Sequence, residues 1–185
     1  MPIAIDKPCD YPNLVELAIA PKGGKSVLQI GLRGSGALKL FKELKALGFH
    51  RMHGLEIFKS NADRMRRHEI INKLIQGDVR KLDQYKDLDE KYDWIVWHHG
   101  PEHVTKKEFE QTLPMLLAKA RIGIWLGAPN GEWRQGAIHG NPNEKHVYHW
   151  TDKEWEDYGF TVYTWSPLKG RKAMMGVKYI EDSNA

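Results

Sequence analysis

The chain has 185 residues, of which 41% are hydrophobic and 28% charged, and its formal net charge is +4 at pH 7. This composition is typical of a globular domain rather than a disordered chain, and the apolar runs are too short to cross a bilayer. The N-terminus lacks the basic start and apolar core of a secretory signal, and a single cysteine, Cys9, excludes an intrachain disulfide framework. We therefore predict a single domain over 1–185 in a reducing, cytoplasmic setting.

Strand-like and helix-like segments alternate along most of the chain, which is typical of a parallel sheet flanked by helices. A lead-in over 1–25 contains a predicted helix, and 26–126 contains five predicted strands. The strands are Val27–Gly31, Met52–Phe58, Leu74–Gly77, Trp94–Trp97 and Ile122–Leu126. The helices are Asn13–Ala20, Ala37–Leu47, a third capped by Ser60 or Asn61 and ending near Ile71, and a fourth from Thr105 to about Ala120. Thr105 and Glu108 have the spacing of a capping box.

The segment 127–185 has a different character. A long loop, Gly127–Trp150, leads to a second capping box formed by Thr151 and Glu154. Two strands then follow, Phe160–Trp165 and Met174–Ile180, and their connection is too short for a crossover helix. We therefore predict that they are antiparallel neighbours.

The first predicted strand ends in three closely spaced glycines, Gly31, Gly34 and Gly36, and a helical pattern follows directly. Such a turn lets backbone N–H groups and a helix N-terminus approach a ligand closely. Glu56 and Asp78 close the next two strands. The first can accept hydrogen bonds from both hydroxyls of a ribose, and the second from an exocyclic amine such as that of adenine. In this order the three features predict a nucleotide-like cofactor.

These motifs resemble those of class I S-adenosylmethionine-dependent methyltransferases, and the similarity spans roughly 26–180. Val-Leu-Gln-Ile-Gly-Leu-Arg-Gly-Ser-Gly is similar to the family's first motif, Glu56 to its ribose-binding acid and Gly77-Asp78-Val79 to its adenine-binding segment. The segment from Pro129 to Trp150 resembles a loop of small bacterial and phage members. The resemblance implies a Rossmann-like α/β sandwich whose mostly parallel seven-stranded sheet has the order 3-2-1-4-5-7-6, with strand seven antiparallel. It also implies S-adenosylmethionine as the cofactor, bound by 26–126, and a substrate loop and hairpin in 127–185.

The resemblance also assigns roles to single residues. It places Val79 and His98 beside the cofactor, together with the glycines and acids already named, and it makes His99 or His103 the group that assists deprotonation of the acceptor. The chain departs from the family at Gln29, which stands where an acidic residue is usual, and in an extra residue between Gly31 and Gly34. A neutral amide can form hydrogen bonds, but it lacks the charge that attracts the cofactor's positively charged amino-acid part.

A metal site is not predicted. His99 and His103 are four residues apart with Glu102 between them, but Gly100-Pro101 interrupts any helix and so separates the two side chains.

The expected function is methylation of a small molecule at oxygen or nitrogen, without a membrane partner. A NAD-dependent oxidoreductase is an alternative because the glycine turn and Glu56 would serve it equally well, although the terminal hairpin argues against it. The other alternative is a non-catalytic methyltransferase-like subunit that binds nucleic acid or acts as a scaffold. Gln29 and the basic segment 64–68 motivate that alternative, which is not favoured. The oligomeric state stays open.

Overall fold

The computed structural model describes residues 1–5, 11–88, 90–168 and 170–180, so Cys9 lies outside the described residues. Within these ranges the strands are β1 (Ile3–Ala4), β2 (Ser26–Ile30), β3 (Arg51–Glu56), β4 (Lys73–Gln76), β5 (Tyr92–His98), β6 (Ala120–Asn130), β7 (Thr161–Leu168) and β8 (Arg171–Tyr179). The α-helices are α1 (Tyr11–Ala18), α2 (Ser35–Ala46), α3 (Lys59–Met65), α4 (Lys106–Lys119) and α5 (Asp152–Asp157). No helix in this part of the chain is both long and apolar enough to span a membrane.

The strands form one sheet in the order β1-β7-β8-β6-β5-β2-β3-β4. β8 runs antiparallel to both of its neighbours, and every other pair is parallel. With β1 set aside, the predicted order 3-2-1-4-5-7-6 and the antiparallel seventh strand are confirmed. The prediction of seven strands is wrong by one, because Ile3 and Ala4 add an edge strand on β7. Two residues are too few to show the alternation that predicts a strand.

Both faces of the central strands are buried. Successive residues of β5 alternate between two apolar clusters, so that Trp94 and Val96 enter one cluster while Ile95 and Trp97 enter the other. α1, α2 and α3 contribute side chains to the first cluster, and α4 and α5 contribute to the second. Parallel sheets with helices on both faces have this double burial.

The helix ends follow local chemistry. Both predicted capping boxes are present: Thr105 with Glu108 begins α4, and Thr151 with Glu154 begins α5. The predicted cap of α3 at Ser60 or Asn61 is wrong, and so is its predicted end near Ile71. The helix begins after Phe58, whose backbone N–H donates to Oε1 of Glu56 at 2.8 Å. A carboxylate from the preceding strand thus takes the place of a capping side chain.

β6 is longer than its predicted five residues. It pairs with β8 as far as Asn130, which lies opposite Lys172. The long loop therefore begins at Gly131 rather than at Gly127. The paired hairpin strand supplies backbone partners that the local sequence does not reveal.

His53 on β3 is a titratable group inside this fold. Its Nδ1 lies 2.8 Å from the hydroxyl of Tyr92 on β5. Burial, together with the positive charges of Arg51 and Lys73, lowers the pKa of His53 from 6.5 to about 4. The folded protein therefore keeps this imidazole neutral at pH values where the unfolded chain protonates it.

This difference predicts a loss of stability in mild acid. As the pH falls from 6.5 towards 4, the unfolded chain binds a proton that folded His53 does not, and the free energy of unfolding decreases. Urea denaturation across this window should show a smaller decrease for His53→Gln than for the natural protein. The exposed His50 is the matched control, and His50→Gln should keep the natural pH dependence. Equal slopes for His53→Gln and the natural protein would contradict the assignment.

Candidate functional site

A cleft of about 720 Å³ lies at the carboxyl ends of β2, β3, β4 and β5. Ligands of open α/β sheets bind at this edge. All nine residues predicted for the site line the cleft: Gly31, Gly34, Gly36, Glu56, Asp78, Val79, His98, His99 and His103. The parallel strands bring them together because each strand ends at the same edge of the sheet.

The glycine turn forms one wall of the cleft. Gly31 has a φ of +77°, which a residue with a side chain rarely adopts, and its N–H donates to the Leu55 carbonyl at 2.9 Å. Gly34 precedes α2 in extended backbone. The first turn of this helix is part of the cleft lining. Gln29, 2% exposed, also lines the cleft. Its amide Oε1 has no hydrogen-bond partner among the described residues.

Glu56 joins the glycine turn to β3. Its Oε2 accepts a hydrogen bond from the backbone N–H of Leu32 at 2.6 Å, and its Oε1 accepts one from Phe58 at 2.8 Å. The residue is 3% exposed. Burial raises the pKa of Glu56, while these two backbone bonds act in the opposite direction. Asn61 adds a side-chain hydrogen bond to this carboxylate, so one of the about four acceptor positions of an ionised carboxylate remains for a ligand.

Asp78 follows β4 and is held by an arginine. Its carboxylate accepts hydrogen bonds from the backbone N–H of Arg80 at 3.0 Å and from the guanidinium at 2.6–3.0 Å. Burial would raise the pKa of Asp78, but the bonds from Arg80 outweigh it and the pKa lies below its ordinary value. The other end of Arg80 donates to Glu108 in α4 at 2.6 Å. The carboxylate predicted to meet adenine is therefore fixed in place by a salt bridge.

His98 closes β5 in a tightly packed position. Its ring lies edge-on to His99 and Trp125, with centroid distances of 4.3 and 5.7 Å. Burial, and secondarily the charge of His99, hold the pKa of His98 well below its ordinary value, so the ring is neutral. Gly127 on β6 makes room for it, since a Cβ there would lie 2.1 Å from Cδ2 of His98.

A second polar group in the cleft is made of histidines around Glu102. Nδ1 of His99 lies 3.4 Å from Oε1 of Glu102, and Nε2 of His146 lies 4.0 Å from the same oxygen. His103 and His146 have ring centroids 5.1 Å apart. Glu102 is 2% exposed, and neither of its oxygens has a hydrogen bond of normal geometry in the part of the chain that is described. Burial would raise the pKa of Glu102, but the interaction with His99 outweighs it, and the pKa lies below its ordinary value.

The segment 131–150, here called the cleft loop, brings His146 to this group. Its two ends meet where the N–H of Gly131 donates to the Trp150 carbonyl at 2.7 Å. The backbone carbonyl of Glu102 accepts hydrogen bonds from the N–H groups of Val147 and Tyr148 at 2.9 and 3.2 Å. Trp150 is fully buried and donates from Nε1 to the Pro101 carbonyl at 2.9 Å.

The cleft loop also contacts the glycine turn. Oε2 of Glu144 accepts a hydrogen bond from the guanidinium of Arg33 at 2.9 Å, and Glu144 is buried. Asn141 supports the same carboxylate, because its Nδ2 lies 3.3 Å from Oε1 of Glu144. The loop therefore crosses the cleft from the glycine turn to the Glu102 group.

Sequence reasoning missed Arg33, Arg80 and Glu144, and it assigned no catalytic or cofactor-binding role to Glu102, His146 or Gln29. Glu102 and His146 were visible as polar residues in segments that resemble the family's loops. Their meeting was not visible, because the neighbours His103 and His146 lie 43 positions apart and no local pattern connects them. The salt bridge from Arg33 to Glu144 spans 111 positions and carries no local signal either.

The basic segment 64–68 has partners within the chain. Arg66 pairs with Asp63 at 2.6 Å, and Arg64 donates to the side chain of Asn61 at 3.0 Å and to the backbone carbonyl of Arg33. A further run of basic residues lies at 169–172. There the guanidinium of Arg171 stacks over Trp133 at 4.4 Å, while Lys169 lies outside the described residues. Much of this charge therefore stabilises local structure.

Comparison with solved structures gives three examples of the same fold. The structure is similar to magnesium protoporphyrin IX methyltransferase (ChlM) from Synechocystis PCC 6803 with bound SAH, at 14% identity and a TM-score of 0.65, over 92% of this chain and 82% of that one. It is similar to the N-terminal domain of EvdMO1 with SAH bound, at 20% identity and a TM-score of 0.61, over 96% and 82%. It is also similar to Streptomyces venezuelae DesVI, at 15% identity and a TM-score of 0.58, over 90% and 89%. No protein-family model and no curated protein sequence matches the chain.

The packing of His98 against Gly127 predicts the effect of one added methyl group. Gly127→Ala should displace the imidazole and lower the free energy of unfolding by about 1–3 kcal/mol, measured by urea denaturation. Gly136 has no positive φ, and a Cβ added to it would meet no heavy atom within 4 Å, so Gly136→Ala is the control. Stability of Gly127→Ala equal to that of the control would show that His98 is not confined as described.

Proposed function

We propose that this chain is an S-adenosylmethionine-dependent methyltransferase that methylates a small molecule at oxygen or nitrogen. The observation that carries the proposal is the meeting of the glycine turn, Glu56 and Asp78 in one cleft, in strand order. Two of the similar structures contain SAH, which supports an adenosyl cofactor for a sheet of this topology.

The residues of the cleft fit this cofactor in charge and hydrogen bonding. Glu56 keeps an acceptor position for a ribose hydroxyl. The orphaned Oε1 of Gln29 is an acceptor for the ammonium of the methionine part. Asp78, fixed by Arg80, presents a carboxylate edge and Val79 an apolar side chain at the end of β4. His98 lines the cofactor side as a neutral imidazole.

The acceptor is proposed to lie against His99 and His103. When bound, S-adenosylmethionine supplies a methyl group that the acceptor atom takes as the carbon–sulfur bond breaks, leaving S-adenosylhomocysteine. Because this displacement needs alignment more than covalent participation of the protein, the walls of the cleft act mainly by positioning. His99 or His103 receives the proton that the acceptor loses.

Calorimetry with S-adenosylhomocysteine tests the cofactor assignment. The natural protein should bind it, and Glu56→Gln should weaken binding by about 1–3 kcal/mol, because a buried carboxylate that accepts from ribose hydroxyls is replaced by an amide with one acceptor oxygen. Exposed Glu69 supplies the control, and Glu69→Gln should bind like the natural protein.

Three results would count against the proposal. They are no binding of S-adenosylhomocysteine up to millimolar concentration, equal affinity of Glu56→Gln and Glu69→Gln, and saturable binding of NADH in a fluorescence titration in place of S-adenosylhomocysteine. The circular dichroism spectrum of Glu56→Gln should match that of the natural protein, so that lost affinity is not lost folding.

A further inference from the structure

Glu102, His103 and His146 form a cluster that could hold a ligand of a second kind. One ligand atom from each of these side chains, an imidazole nitrogen or a carboxylate oxygen, lies within 4.8 Å of the other two. Four-coordinate zinc has ligands at about 2.0–2.2 Å, which places neighbouring ligand atoms about 3.4 Å apart. Each pair of ligand atoms therefore needs to close in by at most about 1.4 Å to share an ion.

The hydrogen bonds of the two histidines leave the correct nitrogen available. Nδ1 of His103 lies 3.1 Å from the Lys145 carbonyl, and Nδ1 of His146 lies 2.5 Å from the Trp133 carbonyl. A carbonyl oxygen only accepts, so each Nδ1 carries the proton and each Nε2 keeps its lone pair. Histidines that bind metals typically donate their other N–H to a carbonyl or carboxylate in this way.

Glu102 supplies the negative charge. It is a buried carboxylate, and no described residue donates a hydrogen bond of normal geometry to either of its oxygens. A carboxylate in this position costs free energy unless a cation or a donor compensates it. His99 supplies part of that compensation, and a divalent cation on Oε1, facing Nε2 of His146, would add to it directly.

Hydrogen bonds hold the backbone of both segments that carry these side chains. Glu102 and His103 lie in a 3₁₀ turn, Pro101–His103, that follows the positive-φ residue His99. The cleft loop is hydrogen-bonded to this turn, because the N–H groups of Val147 and Tyr148 donate to the Glu102 carbonyl. The N–H of His146 donates to the Gln135 carbonyl at 3.0 Å. The three side chains are thus held by hydrogen bonds of their own main chain and not only by packing.

We propose that Glu102, His103 and His146 bind one divalent metal ion of the zinc type in the wall of the cleft. Two imidazoles and a carboxylate are a donor set that suits zinc and neighbouring transition metals better than magnesium or calcium. Three protein ligands leave a coordination position open to the cleft, as in catalytic rather than structural zinc sites. The prediction that no metal site exists considered His99 and His103, whereas the structure pairs His103 with His146 from the cleft loop.

A role for the ion rests on the proposed methyltransferase function. An acceptor hydroxyl on the open coordination position would lose its proton more readily, because a bound divalent cation stabilises the oxyanion. With the ion bound, His103 would be a metal ligand, and the acceptor's proton would pass to His99, whose Nδ1 lies 3.4 Å from Glu102. Binding of the metal itself does not depend on this role.

Equilibrium dialysis of untagged, EDTA-treated protein against Zn²⁺ tests the site without any activity measurement. The natural protein should bind one equivalent, and Co²⁺ in place of Zn²⁺ should give visible absorption bands of a histidine-ligated ion. His146→Gln and His103→Gln should each weaken Zn²⁺ binding about 100-fold or more. The exposed His68 lies outside the cleft lining, so His68→Gln should bind like the natural protein.

The outcomes separate the two proposals. Absence of stoichiometric Zn²⁺ binding, or equal affinity of His146→Gln and His68→Gln, would overturn the metal site. Thermal unfolding of the metal-free proteins checks that His146→Gln and His103→Gln fold, and Glu102→Gln gives a third variant that should lose affinity. Calorimetry with S-adenosylhomocysteine on the same EDTA-treated protein reports the cofactor site alone. Loss of one binding event with retention of the other therefore identifies which proposal fails.

Discussion

Burial of both faces of the central strands determines where polar groups can lie in this protein. A strand such as β5 inserts alternate side chains into two apolar clusters, so a charged residue in its middle would lose hydration without compensation. Buried charged groups are therefore placed near the strand ends, whereas the titratable His53 inside β3 is kept neutral. At the amino edge of the sheet, Asp93 accepts hydrogen bonds from the backbone N–H groups of Lys25 and Ser26 at 2.7 and 3.0 Å. These bonds link β2 to β5. At the carboxyl edge, the acids and histidines of the cleft lie together for the same reason, since both faces of the strands are buried.

The four acids of the cleft lining fall into two kinds. Asp78 forms a salt bridge with Arg80, and Glu144 forms one with Arg33. These salt bridges stabilise the walls of the cleft. Glu56 and Glu102, within the same described lining, have no arginine partner. The first is stabilised by backbone N–H groups and the second lies among histidines. These two carboxylates therefore have acceptor positions that no arginine occupies, and they belong to different parts of the cleft wall.

Local pattern was enough to predict most of the framework. The apolar runs located the strands, the Thr-x-x-Glu pairs located the starts of α4 and α5, and the short connection before β8 predicted the antiparallel hairpin. The site at the strand ends followed, because parallel strands deliver their next residues to one edge. Two things depended on long-range contacts and were missed: the edge strand at Ile3 and the position of the cleft loop. The bond from Phe58 to Glu56 that begins α3 is local, only two positions apart, and was missed as well. The cleft loop is placed by the burial of Trp150 against Phe109, with ring centroids 4.6 Å apart, which no short segment encodes.

The course of the cleft loop has a consequence for the order of events at the site. Glu144 contacts Arg33 of the glycine turn, and His146, only two positions further on, faces Glu102. Only Lys145 separates them, and a connection of two residues is short enough to couple their positions. A ligand that shifted Glu144 would therefore shift His146, and the ion proposed for His146 would restrain Glu144. By thermodynamic linkage, the ligand at Glu144 would change the affinity for the ion at His146 by some factor. The ion would change the affinity for that ligand by the same factor, whichever binds first.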